Sequence, residues 1–162
     1  MKPIPVFVGY DPREAVAYHT CANSIIRHAS RPVAIIPLAL NLFEDYEETH
    51  TDGSNHFIYS RFLVPHLMEY TGHAIFIDGD MIVRDDIVEL WEQRDVTKDV
   101  QVVKHDYKTR MTEKYLGAPN ENYPRKIGVV LFYGIVTVFL TGDSLPTLSN
   151  SPQVVSSTAS RG

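Results

Sequence analysis

Ala74-Ile75-Phe76-Ile77-Asp78-Gly79-Asp80-Met81-Ile82-Val83 is the stretch on which the fold turns. A short apolar run of this length reads as a buried strand. It leads into two carboxylates at i and i+2, and the chain then turns apolar again. In α/β proteins, ligands gather where buried strands leave the core, at their carboxyl ends. Two carboxylates at this spacing can share a hard divalent cation, and Gly79 is read as permitting a tight turn between them. The bland alternative is an ordinary turn, in which Asp and Gly are common.

Working outward, Val6-Phe7-Val8-Gly9 reads as a first strand. Asp11-Pro12-Arg13-Glu14 then opens a helix, with Asp11 as cap, Pro12 at the first helical position and Glu14 completing a capping box. Ala15, Tyr18, Ala22, Ile25, Ile26 and Ala29 recur at helical spacing, and Ser30-Arg31-Pro32 ends the element. Val33 to Leu38 is a second strand, so the unit predicts a parallel crossover. The acidic, polar stretch from Asn41 to Asn55 reads as a surface loop. Phe57 to Tyr70 is helical in pattern, with Pro65 expected to kink or restart it. Asp85-Asp86 caps a short helix over Ile87 to Glu92, Val100 to Val103 is a further strand, and Tyr107 to Arg125 is loop-like. Arg125 to Tyr133 offers the next core strand.

Length and composition fit this reading. The chain has 162 residues, 44% hydrophobic and 22% charged, enough for one domain with a real core. A net charge of -5 gives no electrostatic basis for binding nucleic acid or anionic membranes. The one cysteine, Cys21, excludes an intrachain disulfide and fits a reducing compartment, and it reads as a small buried apolar residue. Ile4 to Val8 is too short and too proline-interrupted for a signal peptide. The longest apolar-rich run, Ile127 to Leu140, is 14 residues, against about 20 for a spanning helix. The expectation is a cytoplasmic protein without a transmembrane segment. His19, His28, His50, His56, His66 and His73 show no ligand spacing.

Three pieces of this chain together resemble the family 8 and related glycosyltransferases. They are Val6-Phe7-Val8-Gly9-Tyr10-Asp11 before a helix, Ser60-Arg61-Phe62-Leu63-Val64-Pro65-His66-Leu67, and the strand ending in Asp78-Gly79-Asp80. The resemblance spans about residues 4 to 105. It implies an α/β fold of GT-A type, a Rossmann-like mainly parallel sheet flanked by helices and incomplete at the C-terminus. It also implies a UDP-sugar donor, Mn²⁺ or Mg²⁺, and transfer of a hexose to the hydroxyl of a glycan, lipid or protein acceptor. Carried over by position, Tyr10 and Asp11 would meet the base and ribose. Arg61 would face the diphosphate or donor sugar, Asp78 the ribose or the metal, and Asp80 the metal. No catalytic nucleophile or base follows from the resemblance. Each role suits its chemistry: an aromatic ring stacks on a base, and a guanidinium reaches phosphate bidentately. Asp11 caps a helix equally well without any nucleotide. Arg61 could sit on the surface of an amphipathic helix, but its neighbours Phe57, Phe62 and Met68 would place it near the buried face, which favours a functional role. Lys104-His105-Asp106 follows the next strand and could line the acceptor side, although a solvated strand end is the plainer reading.

The family pattern breaks downstream. The family's later half carries the acceptor site and a metal-closing histidine, whereas no histidine follows His105 here. After Lys126 only Asp143 and Arg161 are charged, and Ser144 to Gly162 is rich in Ser, Thr and Pro. Residues 1–140 are therefore read as a nucleotide-sugar-binding domain and 141–162 as a disordered tail. A truncation or a change of reading frame would produce that composition, and the downstream nucleotide sequence read in all frames tests the idea. Two rivals stand beside the transferase. One is a haloacid-dehalogenase-like phosphatase with Asp78 as nucleophile and Asp80 as acid/base. The other is a non-catalytic sugar-nucleotide-binding or structural fragment.

Overall fold

The computed structural model describes residues 1–44, 46, 47, 49, 57–98, 100–104, 127–132 and 154–157. Strands β1 (Ile4–Gly9) and β2 (Val33–Leu38) flank helix α1 (Ala15–His28) in sequence and pair in parallel, so the expected crossover forms. Strand β3 (Ile75–Ile77) joins the other side of β1, again parallel. Beyond it lie β5 (Ile127–Phe132), β4 (Val100–Lys104) and β6 (Val154–Ser157), giving the order β2-β1-β3-β5-β4-β6. The α/β architecture holds. The half that carries the Asp-x-Asp strand is parallel, and β5, β4 and β6 add an antiparallel half.

Alternation along β1 and β3 explains why both are wholly apolar. Ile4, Val6 and Val8 of β1 join Ile75 and Ile77 of β3 on one face. There they pack with Cys21 and Ile25 of α1, with Met81 and Val83, and with Ile87. Phe7 and Phe76 point to the opposite face and pack with Leu38, Val64 and Ala74. A parallel strand covered on both sides must be hydrophobic at every position. Each fully buried side chain of this size contributes about 1.5–3 kcal/mol relative to exposure.

The helices follow their local signals with three differences. Asp11 caps a 3-10 turn, Pro12–Glu14, and accepts from the Arg13 backbone N–H, so α1 proper starts at Ala15 without the Glu14 capping box. Ile26 is 62% exposed, and the buried stripe of α1 runs through Cys21, Ser24 and Ile25. At about 100° per residue, Ile26 falls one step off that stripe. The segment after residue 57 splits into α2 (Phe57–Ser60), a 3-10 turn (Arg61–Leu63) and α3 (Val64–Leu67). Pro65 lies in the first turn of α3, where its missing N–H costs nothing. Helix α4 (Ile87–Glu92) is capped as expected by Asp86, which accepts from Val88 N–H at 3.0 Å.

Of the segment 141–162, read as a disordered tail, Val154–Ser157 forms β6 against the edge of β4, where its β-branched valines suit a strand. The rest of that segment, His105 and Asp106, the stretch from Tyr107 to Arg125 that the sequence reads as loop-like, and residues 50–55 of the polar stretch lie outside the described residues.

Candidate functional site

Register places the site. Val8 of β1 is level with Ile77 of β3, so the two chains leave the sheet together, one into Gly9-Tyr10-Asp11 and the other into Asp78-Gly79-Asp80. Gly79 is buried against the end of β1. A Cβ there would lie 2.1 Å from the Gly9 carbonyl oxygen and 3.9 Å from Tyr18 Cα. Gly79 does not have positive φ, unlike Gly72. The turn read at Gly79 is present, but it needs no positive φ; glycine is needed there because two backbones touch.

Asp78 ends β3 only 6% exposed. Its Oδ1 accepts a hydrogen bond from Arg61 Nη2 at 3.0 Å. Arg61 reaches it from the 3-10 turn on the other side of the sheet, its guanidinium 5.3 Å from the centroid of the Phe76 ring. Arg61 is therefore partly buried over Phe76, while Phe62, its expected apolar neighbour, is exposed. Burial pushes the Asp78 carboxyl up to about 7, Arg61 pulls it down, and Asp80 raises it. Burial likewise lowers Arg61, against the pull of Asp78 and Asp80.

Asp80 is exposed, and its charge reaches back to Glu14 at the start of α1, whose carboxyl is raised by partial burial, then by Asp80 and Asp11. Tyr10 is half-buried, its ring edge-to-face with Tyr18 at 5.3 Å. Asp11 is buried, and its carboxylate holds Arg13: Oδ1 accepts from Nε at 3.0 Å and Oδ2 from Nη2 at 2.6 Å. Its capping reading is therefore realised, and its side chain exposes no surface in this structure. The sequence residues thus converge, with Asp78 and Arg61 joined directly and Tyr10 and Asp11 beside them through β1.

Two residues of α1 to which the sequence reading gave no part in the site hold this turn in place. Cys21 lies under it, its thiol donating to the Asp78 carbonyl at 3.9 Å, and burial raises that thiol to about 12, which makes it inert. Ser24 Oγ accepts from the Val83 backbone N–H at 2.9 Å and donates to the Cys21 carbonyl at 2.7 Å. A small polar residue inside an apolar helical stripe is the signal that marks Ser24. Ser24→Ala leaves a buried N–H unpaired and is expected to cost about 1–3 kcal/mol, read as a lowered urea midpoint with unchanged slope.

Among the described residues, no group of three or more His, Cys, Asp and Glu could hold a metal ion. Asp78 and Asp80 offer oxygen ligands only, a set that fits Mg²⁺ or Mn²⁺ better than softer metals. Two carboxylates supply part of a six-coordinate shell, so such a cation would need further oxygens from a phosphate ligand or water. No helix among the described residues is long and apolar enough to cross a membrane.

A sequence model described as "Glycosyl transferase family 8" matches residues 7–128, which run from within β1 to the start of β5 and contain the whole Asp-x-Asp site. The chain belongs to glycosyl transferase family 8. Family 8 membership accounts for the strand-Asp-x-Asp pattern without the haloacid-dehalogenase-like phosphatases, and the α/β sheet agrees with a GT-A-like fold. The chain is also 41% identical over 129 residues to "Protein CDI" of Arabidopsis thaliana, covering 77% of this chain and 50% of that protein. It spans about half the length of this curated relative. No solved structure matches the chain.

Proposed function

We propose that this family 8 chain binds a nucleotide sugar, a UDP-hexose, through a divalent cation at Asp78-Gly79-Asp80 and directs its sugar to an acceptor hydroxyl. The observation that carries the reading is the convergence of one buried guanidinium and two carboxylates at the carboxyl ends of parallel strands. A diphosphate leaving group develops negative charge, and the chemistry a divalent cation supplies there is Lewis-acid stabilisation of that charge. Asp80, exposed at the end of the turn, is the carboxylate that would hold it, with Asp78 behind. Arg61 contributes hydrogen bonds to diphosphate oxygens, and Tyr10, braced by Tyr18, offers its ring to the base. Asp11 acts at the ribose through Arg13, which it orients.

Calorimetry with UDP-glucose and Mn²⁺ tests the reading. Wild type is expected to bind the donor in a metal-dependent way. Asp80→Ala is expected to lose about a hundredfold, roughly 3 kcal/mol. Equal binding by the two proteins would remove Asp80 from the site, and no binding by a folded wild type would favour a structural fragment.

A second reading is donor binding without efficient transfer. Transfer requires both reactants to be held in position. Donor turnover across a panel of glycan, lipid and protein acceptors separates the two: turnover stimulated by an acceptor supports transfer, and slow acceptor-independent hydrolysis supports the second reading.

A further inference from the structure

Arg61 and Asp78 have different tasks in the proposed function, yet here each is the other's partner. Their 3.0 Å bond joins side chains that are only 18% and 9% exposed. The carboxylate wanted by a cation is therefore already neutralised by a fixed positive charge, because a guanidinium does not give up its proton. A divalent ion ligated by Asp78 would sit about 2 Å from its oxygen. Arg61 holds the same carboxylate, and like charges this close in a partly desolvated site repel strongly. A nucleoside diphosphate reverses that balance. Its oxygens ligate the cation and also accept the guanidinium bidentately.

The two partners differ in freedom. Asp78 is anchored, with its carbonyl on Cys21 and its neighbour Gly79 pressed against Gly9. Arg61 projects on a long side chain from a three-residue 3-10 turn between two four-residue helices. The carboxylate stays and the guanidinium moves, with the Phe76 ring beneath it as an apolar support.

We propose that the Arg61–Asp78 ion pair is an exchange lock, which disfavours a divalent cation offered alone and admits it together with a nucleoside diphosphate, to which Arg61 transfers its hydrogen bonds. The inference rests on the donor-site reading and goes beyond it, because it assigns the coupling between metal and nucleotide to one side chain and fixes its sign. By linkage, the cation strengthens nucleotide binding by the same factor.

The test is Mn²⁺ titration, followed by calorimetry and by the spin-resonance signal of free Mn²⁺, with and without UDP over a series of pH values from neutral to mildly alkaline, because losing Arg61 also leaves Asp78 more readily protonated. The proteins are wild type, Arg61→Gln and Arg61→Lys, each checked for folding by circular dichroism. Wild type is expected to bind Mn²⁺ at least about tenfold more tightly with UDP than without. Arg61→Gln, which removes the charge but can still donate to Asp78, is expected at the alkaline end of the series, where Asp78 is ionised, to bind Mn²⁺ alone about fivefold or more tighter than wild type, and UDP more weakly. Arg61→Lys keeps the charge and is expected to bind Mn²⁺ alone as wild type does. Should Arg61→Gln bind Mn²⁺ alone no better than wild type at every pH of the series, the pair only orients Asp78 and the lock is wrong. That result, with Mn²⁺ and UDP still binding together to wild type, leaves the donor site standing. Failure of wild type to bind Mn²⁺ and UDP together overturns the donor site and the lock alike.

Discussion

Gly79→Ala is expected to lose about 3 kcal/mol of stability, the upper end for forcing one methyl into a packed interior. The added Cβ would meet the Gly9 carbonyl oxygen at 2.1 Å and the Gly9 carbonyl carbon at 3.2 Å. Both are backbone atoms of the central strand, so no side chain can swing aside. Relief requires β1 and the Asp-x-Asp turn to separate, which opens the core shared by Val8, Ile77 and Cys21. For a domain of this size the melting temperature should fall by roughly 6–12 °C. Donor binding should fall with it, although both carboxylates remain. Thermal melts of the two proteins decide the matter: a change of less than about 2 °C would mean that the strand ends have room to part.

Arg61→Ala should be comparably damaging, for an electrostatic reason. Removing one member of a buried ion pair strands the other and typically costs about 3–5 kcal/mol. The cost should depend on pH. In the folded protein the Asp78 carboxyl titrates at about 7, raised from 3.8 by burial. The folded state therefore holds a proton that the unfolded chain releases, and wild-type stability should fall as pH rises between those two values, then level off. Without Arg61 the pull that lowers Asp78 is gone, so the decline should continue above pH 7. Asp78→Asn should abolish this slope in either background and restore stability to Arg61→Ala, while forfeiting metal-dependent donor binding. Urea melts across pH would show it; parallel pH profiles for wild type and Asp78→Asn would rule out Asp78 as the titrating group.

Much of the fold is legible in the sequence because its signals are local. The alternation of β1 and β3, the Asp86 cap on α4, the Pro65 restart and the apolar run of β5 each depend on residues within a few positions of one another. The Asp-x-Asp at the end of a buried strand is local too, whereas its resemblance to family 8 needs the two further motifs at Tyr10-Asp11 and Arg61. Errors arose where a local signal had two readings. Ile26 is apolar at nearly the right spacing yet lies one step outside the stripe, and Glu14 has the right type for a capping box that a 3-10 turn replaces.

By itself, the sequence determined an α/β chain with a carboxylate pair where a parallel strand leaves the core, and two further motifs that make it a family 8 member. Tertiary structure alone decided what each of those residues touches. Arg61 meets Asp78 across 17 positions, Cys21 meets its carbonyl across 57, and Ser24 meets Val83 across 59. It also added to the turn at Gly79 a contact between two backbones, and placed β5 antiparallel between β3 and β4. The reason is physical. Periodicity and caps are settled by neighbours along the chain, whereas burial, pairing and the charge of Asp78 are settled by which elements the packed sheet brings together.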